Sequence, residues 1–198
     1  MQSEPVKRHC KSELFNILSW GGGKRYYREE ELHSNILAWL FHPKESHGLG
    51  AKAAHAFFSR INPEISLGSD YRVTREASKT NSGRYRKADI IIESDHEYIA
   101  IENKWKARLS HGQMSDTYER FRATAEKKGK RFVYIVLAKS SQINIDEKTP
   151  HLLTNYSVIC DVIRELLPFG TESPAMLLKE YAILLSEKAS NLKTCRAD

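Results

Sequence analysis

The sequence of 198 residues predicts an α/β fold, in which a mixed central sheet is flanked by helices on both sides. Two runs, residues 29–42 and 51–61, space their apolar residues as amphipathic helices do. Between residues 70 and 104 the apolar period shortens to that of strands. Residues 131–138 (RFVYIVLA) form a continuous apolar run, which is typical of a strand buried on both faces.

The two predicted helices have clear ends. The apolar side chains of residues 29–42 (EEELHSNILAWLFH) recur at helical spacing, and Pro43 cannot continue the helix. Residues 51–61 repeat this spacing with Ala, Phe and Ile side chains, and Pro63 follows the run.

The middle of the chain predicts three strands and one loop. Residues 70–77 alternate as a strand does. Residues 78–87 (SKTNSGRYRK) are polar and basic and contain glycine, so they predict a turn or mobile loop. Two short strands follow at residues 88–93 and 97–104, and residues 94–96 join them.

The rest of the chain adds helices around the apolar strand. Residues 111–128 predict a helix before the strand at 131–138, and two more helices are predicted at about 157–167 and 174–191. A chain of this length and order of elements predicts a single domain.

Composition excludes several classes of protein. The chain has no apolar run long enough for a transmembrane helix, and no secretory leader is recognisable at its start. Three widely separated cysteines, Cys10, Cys160 and Cys195, offer no disulfide framework and no paired zinc ligands. We therefore expect a cytoplasmic protein without a membrane partner.

The charge distribution points to a partner. The chain has 31 Lys and Arg against 25 Asp and Glu, a net charge of +6. Residues 72–87 hold six basic residues and a single acid, Glu76. A local excess of this kind is typical of a nucleic-acid-binding surface, but a solvated basic face explains the charge equally well.

The hairpin of residues 88–104 brings charged side chains together. If Asp95 and His96 form a tight turn, Asp89 lies opposite Glu102 and projects to the same face, which Lys104 shares. The other face receives four isoleucines, Ile90, Ile92, Ile99 and Ile101. A slip of one residue would place a carboxylate among them, at a high cost in free energy.

Two carboxylates about 5 Å apart repel each other, and burial disfavours both charges. A divalent cation with a preference for oxygen ligands, such as Mg²⁺, resolves both problems. Lys104 would then contact a metal-bound water or a scissile phosphate. The alternative is a structural ion pair between the lysine and the carboxylates at the end of the sheet.

These residues resemble the D…(D/E)xK signature of the PD-(D/E)XK nuclease superfamily, with Asp89 followed by Glu102-Asn103-Lys104. The N-terminal stretch resembles the E-x-x-H-S-N-x-L-A-x-L opening of an uncharacterised prokaryotic branch, through Glu30, His33, Ser34, Asn35, Leu37, Ala38 and Leu40. The resemblance covers about residues 29–140.

The resemblance implies a restriction-endonuclease-like αβββαβ core and metal-dependent hydrolysis of phosphodiesters. It implies a single nuclease-like domain over residues 1–198, with its core at about 29–140 and a C-terminal helical extension at about 150–198. Possession of the fold does not by itself supply a biological role.

The resemblance also assigns roles to individual residues. Asp89, Glu102 and the Asn103 carbonyl would bind Mg²⁺, for which Mn²⁺ would substitute. Among the catalytic residues, Lys104 would orient or activate the attacking water, and Glu30 would bind metal through water. Gln113 matches a glutamine of the family. Further candidates are Glu31, Glu76, His33 and Tyr118, for which the structural alternatives include packing of His33 against the sheet and a salt bridge of Glu76 with a neighbouring arginine.

The leading hypothesis is an Mg²⁺-dependent nuclease that cleaves DNA, with an endonuclease as the expected type. Its phosphate-backbone contacts would come from four basic residues: Arg75, Arg84, Arg86 and Lys87. The alternative is a non-catalytic nucleic-acid-binding or partner-docking module that keeps the nuclease fold. A homodimer through the C-terminal helices is compatible with either hypothesis.

Overall fold

The computed structural model describes residues 29–81, 84–105, 112–139, 148–170 and 172–194. Side chains are described in these ranges except at residues 29, 76–81, 84–87, 113 and 187–194.

Helices and strands follow each other nearly as the sequence predicts. The helices among the described residues are α1 (Glu29–Phe41), α2 (Lys52–Ile61), α3 (Gln113–Lys127), α4 (Tyr156–Leu166) and α5 (Glu172–Thr194), with a short 3₁₀ turn at Leu167–Phe169. The strands are β1 (Arg72–Asn81), β2 (Arg84–Glu93), β3 (Glu97–Lys104), β4 (Arg131–Ala138) and β5 (Leu152–Asn155).

The strands form one mixed sheet in the order β1-β2-β3-β4-β5. The pairs β1–β2 and β2–β3 are antiparallel, whereas β3–β4 and β4–β5 are parallel. A parallel connection needs a crossover, and α3 supplies the one between β3 and β4. The predicted mixed α/β architecture is therefore confirmed.

The register of the central hairpin is also confirmed. Ile90 of β2 lies opposite Ile101 of β3. The Ser94 N–H donates to the Glu97 carbonyl at 3.0 Å, which closes the two-residue turn between the strands. This turn fixes the register on which the geometry of the site depends.

The predicted loop at 78–87 is wrong for the residues described there. β1 continues to Asn81 and β2 begins at Arg84, and these two residues are paired. The hydrogen bonds of an antiparallel ladder are made by the backbone, so a polar stretch can form strands without an apolar face. Composition alone therefore does not distinguish this ribbon from a loop.

β5 was not predicted. It has four residues and pairs in parallel with the end of β4, where Leu152 lies opposite Ile135. So short a strand shows no periodicity of its own and forms because a longer buried strand offers it an edge.

The sheet separates two hydrophobic cores. The larger core contains the four predicted isoleucines (Ile90, Ile92, Ile99 and Ile101), each with 0% of its surface exposed. The smaller core lies between the sheet and α3, which contributes Met114, Phe121 and Ala125. Each fully buried aliphatic side chain stabilises the fold by about 1.5–3 kcal/mol.

The C-terminal helices belong to the larger core. Ile159 and Ile163 of α4 and Leu178 and Tyr181 of α5 are buried in the same cluster as Leu37 of α1. Helices α1, α4 and α5 thus lie in one layer on the same face of the sheet. None of the helices in the described part of the chain combines the length and apolarity that a bilayer crossing requires.

Candidate active site

The end of the central hairpin brings Asp89, Glu102 and Lys104 together. One step beyond the Ile90–Ile101 pair, the register places Asp89 opposite Glu102. The Lys104 ammonium lies 2.7 Å from Glu102 Oε1 and is almost fully buried with it. These three residues are therefore neighbours, as the spacing of the sequence predicts.

Asp89 is held in place by the neighbouring strand. Its Oδ2 accepts a hydrogen bond of 2.7 Å from the Asn103 backbone N–H. At this point a carboxylate has taken the place of a ladder carbonyl, and the paired positions of β2 and β3 end at Ile90 and Ile101. In an extended strand the N–H and C=O of one residue point to the same side, which directs the Asn103 carbonyl toward β2 as well.

The two carboxylates destabilise each other's charges. Burial, and next the charge of Asp89, raise the pKa of Glu102 to about 7, and Lys104 limits the rise. Burial raises the pKa of Asp89 too, although the Asn103 N–H and Lys104 oppose the shift. Glu102 is buried and Asp89 is half-buried, and the nearby charges of Lys104 and Arg75 do not bring either pKa back to its usual value, so the pair attracts further positive charge.

Lys104 remains an ammonium at neutral pH. Burial lowers its pKa, but the carboxylates of Glu102 and Asp89 outweigh burial, so the pKa is raised overall. Lys104 therefore provides hydrogen-bond donors and positive charge at the end of the sheet.

Glu30 of α1 reaches the same strand end. Its Oε1 accepts a hydrogen bond of 3.2 Å from the Trp105 N–H, and its charge contributes to raising the pKa of Glu102. The neighbouring Glu31 has an exposed side chain. Of these two adjacent acids, Glu30 is the one placed beside β3.

The Asn103 side chain points away from the carboxylates and is buried against α1. Its Nδ2 donates to the Glu30 carbonyl at 3.0 Å and to Ser34 Oγ at 2.8 Å. Its Oδ1 accepts from the Tyr156 hydroxyl at 2.6 Å. Its role as a metal ligand therefore rests on the backbone carbonyl alone.

The consecutive residues His33, Ser34 and Asn35 of α1 contact different parts of the fold. Ser34 contacts Asn103 of β3. His33 is buried, with its ring centroid 3.7 Å from that of Trp105 and its Nδ1 2.8 Å from the Tyr181 hydroxyl. Asn35 Oδ1 accepts from Arg75 Nε at 2.8 Å. Trp105 lies in the larger core, on the face opposite the carboxylates, as the alternation of β3 predicts. His33 is thus a packing residue in this structure.

Arg75 links α1 to the site. Its Nε donates to Asn35, and its Nη1 donates to the Asp89 backbone carbonyl at 2.6 Å. The sequence interpretation assigned Arg75 to nucleic-acid binding. In the structure its guanidinium contacts α1 and the backbone of Asp89, and its contact with nucleic acid stays a prediction.

We expect Arg75→Ala to lower the free energy of unfolding by about 1–3 kcal/mol, because it removes charge-assisted hydrogen bonds from two elements. Arg72→Ala is the matched control, since Arg72 lies on the same strand with an exposed side chain. Urea unfolding measures both variants. Equal midpoints for the two variants would contradict the linking role of Arg75.

The remaining predicted site residues are placed only in part. Tyr118 is half-buried on α3, with its ring centroid 5.4 Å from that of Phe132, so it belongs to the smaller core. Gln113 begins α3. The side chains of Gln113, Glu76, Arg84, Arg86 and Lys87 lie outside the described part of the structure.

Sequence reasoning missed two contacts made by residues far along the chain. Tyr156 and Tyr181 are buried tyrosines of the C-terminal helices, and their hydroxyls contact Asn103 and His33. A tyrosine at a helical core position is read as packing, and no motif around it signals a polar contact.

The donor set suits an oxygen-preferring divalent cation. Mg²⁺ is typically bound by one or two carboxylates, with water and phosphate completing its shell. Asp89, Glu102 and the Asn103 carbonyl provide such a set. Among the described residues, no group of three or more His, Cys, Asp and Glu side chains is arranged to hold a metal. The three proposed ligands are all oxygen atoms, so the set has neither the thiolate nor the imidazole ligands typical of zinc sites.

A comparison with known protein families identifies the family of the chain. A family model of the PD-(D/E)XK nuclease superfamily matches residues 15–182. No curated protein matches the chain. The matched range covers most of the sequence and includes α1, the central hairpin and the C-terminal tyrosines. Within this range, α1, β1–β3, α3 and β4 follow each other in the αβββαβ order of the restriction-endonuclease-like fold. The chain belongs to the PD-(D/E)XK nuclease superfamily.

Proposed function

We propose that this protein is an Mg²⁺-dependent deoxyribonuclease that cleaves phosphodiester bonds within DNA. The observation that supports this most strongly is the convergence of Asp89, Glu102 and Lys104 at the end of β3. A structural ion pair would need one carboxylate, whereas here the carboxylates of Asp89, Glu102 and Glu30 face the positive charges of Lys104 and Arg75. The excess negative charge favours a bound cation.

Asp89, Glu102 and the Asn103 carbonyl would hold the metal, and Glu30 would contact it through water. When bound, Mg²⁺ supplies a polarised phosphate and a water of lowered pKa. Mn²⁺, which accepts the same ligands, is expected to substitute.

Lys104 contributes positive charge next to the reacting phosphate. Because its pKa is raised, it holds its proton at neutral pH and does not serve as a general base. Its ammonium donates hydrogen bonds to the attacking water or to a phosphate oxygen, where negative charge grows in the transition state. Its buried ion pair with Glu102 keeps it oriented before substrate arrives.

The β1–β2 ribbon supplies the surface for nucleic acid. β2 pairs with β3 only over residues 90–93. Its pairing with β1 continues in the other direction as far as the Asn81–Arg84 pair. The ribbon therefore extends past the end of the sheet that carries the site. Arg84, Arg86 and Lys87 lie on it, and a two-stranded ribbon fits the major groove of duplex DNA.

The test is cleavage of supercoiled plasmid and of linear duplex, single-stranded DNA and RNA. We expect Mg²⁺ or Mn²⁺ to support nicking of the plasmid, and EDTA to abolish it. Cleavage in EDTA would refute the metal-dependent mechanism. Salt-sensitive DNA binding without cleavage in either metal would favour the non-catalytic module, and cleavage of RNA alone would refute the DNA substrate.

Three further expectations stay predictions. They are a single nuclease-like domain, a cytoplasmic location and a homodimer through the C-terminal helices.

A further inference from the structure

We propose that Tyr156 is a positioning residue for the metal-binding strand, and that it acts through the side chain of Asn103. This inference rests on the proposed function, because it concerns the strand that would hold the metal. It also gives the C-terminal helices a part in the active site, although they lie outside the D…(D/E)xK signature.

The Asn103 amide is bonded at every polar atom. The Tyr156 hydroxyl donates to Oδ1 at 2.6 Å, while Nδ2 donates to the Glu30 carbonyl and to Ser34 Oγ. These contacts come from two different helices, α1 and α4. An amide held on both sides by buried partners has a single orientation.

That orientation matters because Asn103 separates Glu102 from Lys104. Side chains alternate along a strand, so an Asn103 side chain fixed toward α1 keeps its two neighbours on the opposite face. On the β2 side the paired positions end at Ile101. Beyond that point the Asn103 N–H contacts the Asp89 carboxylate in place of a backbone carbonyl. On the other side, the pairing of β3 with β4 continues to Lys104, which lies opposite Ala138. The strand end therefore has one ladder edge, and the Asn103 side-chain contacts with α1 and α4 fix it further.

Tyr156 is itself rigidly placed. It is the first residue of α4, it is 4% exposed, and its ring meets that of Trp105 edge-on at 4.7 Å. Asn155 caps the helix by accepting a hydrogen bond from the Ser157 N–H at 2.9 Å. A residue fixed by a helix cap and a ring contact can hold Asn103 at little further entropic cost.

The experiment compares Tyr156→Phe with the matched control Tyr181→Phe. Both substitutions remove one hydroxyl from a buried tyrosine of a C-terminal helix. The Tyr181 hydroxyl lies beside His33 Nδ1, whereas the Tyr156 hydroxyl contacts β3 directly. Three quantities are measured: Mn²⁺ affinity by calorimetry without nucleic acid, kcat and KM for plasmid cleavage, and the melting temperature.

We expect Tyr156→Phe to weaken Mn²⁺ binding about tenfold and to lower kcat about tenfold with KM unchanged, which is typical when a partner of a metal ligand is removed. Tyr181→Phe should lower the melting temperature by a similar amount and leave Mn²⁺ affinity within about twofold of wild type. Equal Mn²⁺ affinities for wild type and Tyr156→Phe would overturn the inference alone. A wild-type protein that neither binds Mn²⁺ nor cleaves DNA would overturn the proposed function, and the inference with it.

Ser34→Ala provides a second route to the same conclusion if Tyr156→Phe does not fold. It removes one of the two α1 partners of Asn103 Nδ2 and leaves the Glu30 carbonyl in place. The expected result is again weaker Mn²⁺ binding, and wild-type affinity in this variant would count against the role of the amide.

Discussion

Glu102→Gln should reduce metal-dependent DNA cleavage by about 10³-fold or more while the protein stays folded. Glutamine has nearly the shape of glutamate and can still accept a hydrogen bond from Lys104, which lies 2.7 Å away in the wild type. The substitution therefore removes the charge and little else. Initial rates on plasmid in Mg²⁺, with circular dichroism as the check on folding, measure the effect.

Glu97→Gln is the matched control for this experiment. Glu97 begins the same strand, is also buried, and pairs with Arg131 at 2.6 Å. It lies at the far end of β3, so its loss should affect stability and leave the cleavage rate near wild type. If both variants lost activity equally, the assignment of Glu102 to the metal would be wrong.

The free energy of unfolding of the metal-free protein should fall between about pH 5 and 8 because of Glu102. Its pKa is raised from 4.5 to about 7 in the folded state. The folded protein binds this proton more tightly than the unfolded chain, so the stabilisation is complete below the unfolded value. It is lost as the pH rises through 7, and the full loss is on the order of 3 kcal/mol.

Comparison with Glu102→Gln isolates this contribution. The variant cannot titrate at residue 102, so its stability relative to wild type should increase from pH 5 to pH 8 in urea unfolding. Lys104 adds no slope there, because a raised lysine pKa alters stability only in more alkaline solution. A constant difference across this range would contradict the buried charge pair.

Added Mg²⁺ should offset the loss of stability at high pH in the wild type but not in the Glu102→Gln variant. A cation bound to the folded state stabilises it by about 2.7 kcal/mol at a concentration one hundred times Kd. We expect the increase in melting temperature to be larger at pH 8 than at pH 6, since the metal must displace the proton of Glu102 at the lower pH. An equal increase in the Glu102→Gln variant would place the metal elsewhere.

The sequence predicts the hairpin site well because the turn and the buried isoleucines both require the same strand register. A short turn fixes which residues face each other, and the buried isoleucines forbid a shift by one position. Asp89 and Glu102 are therefore brought together by backbone geometry and apolar burial before any charge is considered. These two effects are local in sequence, which is why they can be read from it.

The contacts that support the site were not predictable in the same way. Arg75 reaches Asn35 and the Asp89 carbonyl across 40 and 14 residues of chain, and neither contact follows from periodicity. Tyr156 meets Asn103 only because the C-terminal helices pack behind the sheet. Side-chain contacts between elements depend on the packing of whole layers, which one sequence does not specify at this level.

The contact between His33 and Tyr181 joins residues 148 positions apart. Closing a loop of this length costs more conformational entropy than forming a local helix or hairpin, so we expect this contact to form late. During synthesis the carboxylate hairpin leaves the ribosome long before α5 does. A nascent chain therefore carries its acidic hairpin before the contacts of Tyr156 and Tyr181 with Asn103 and His33 can form.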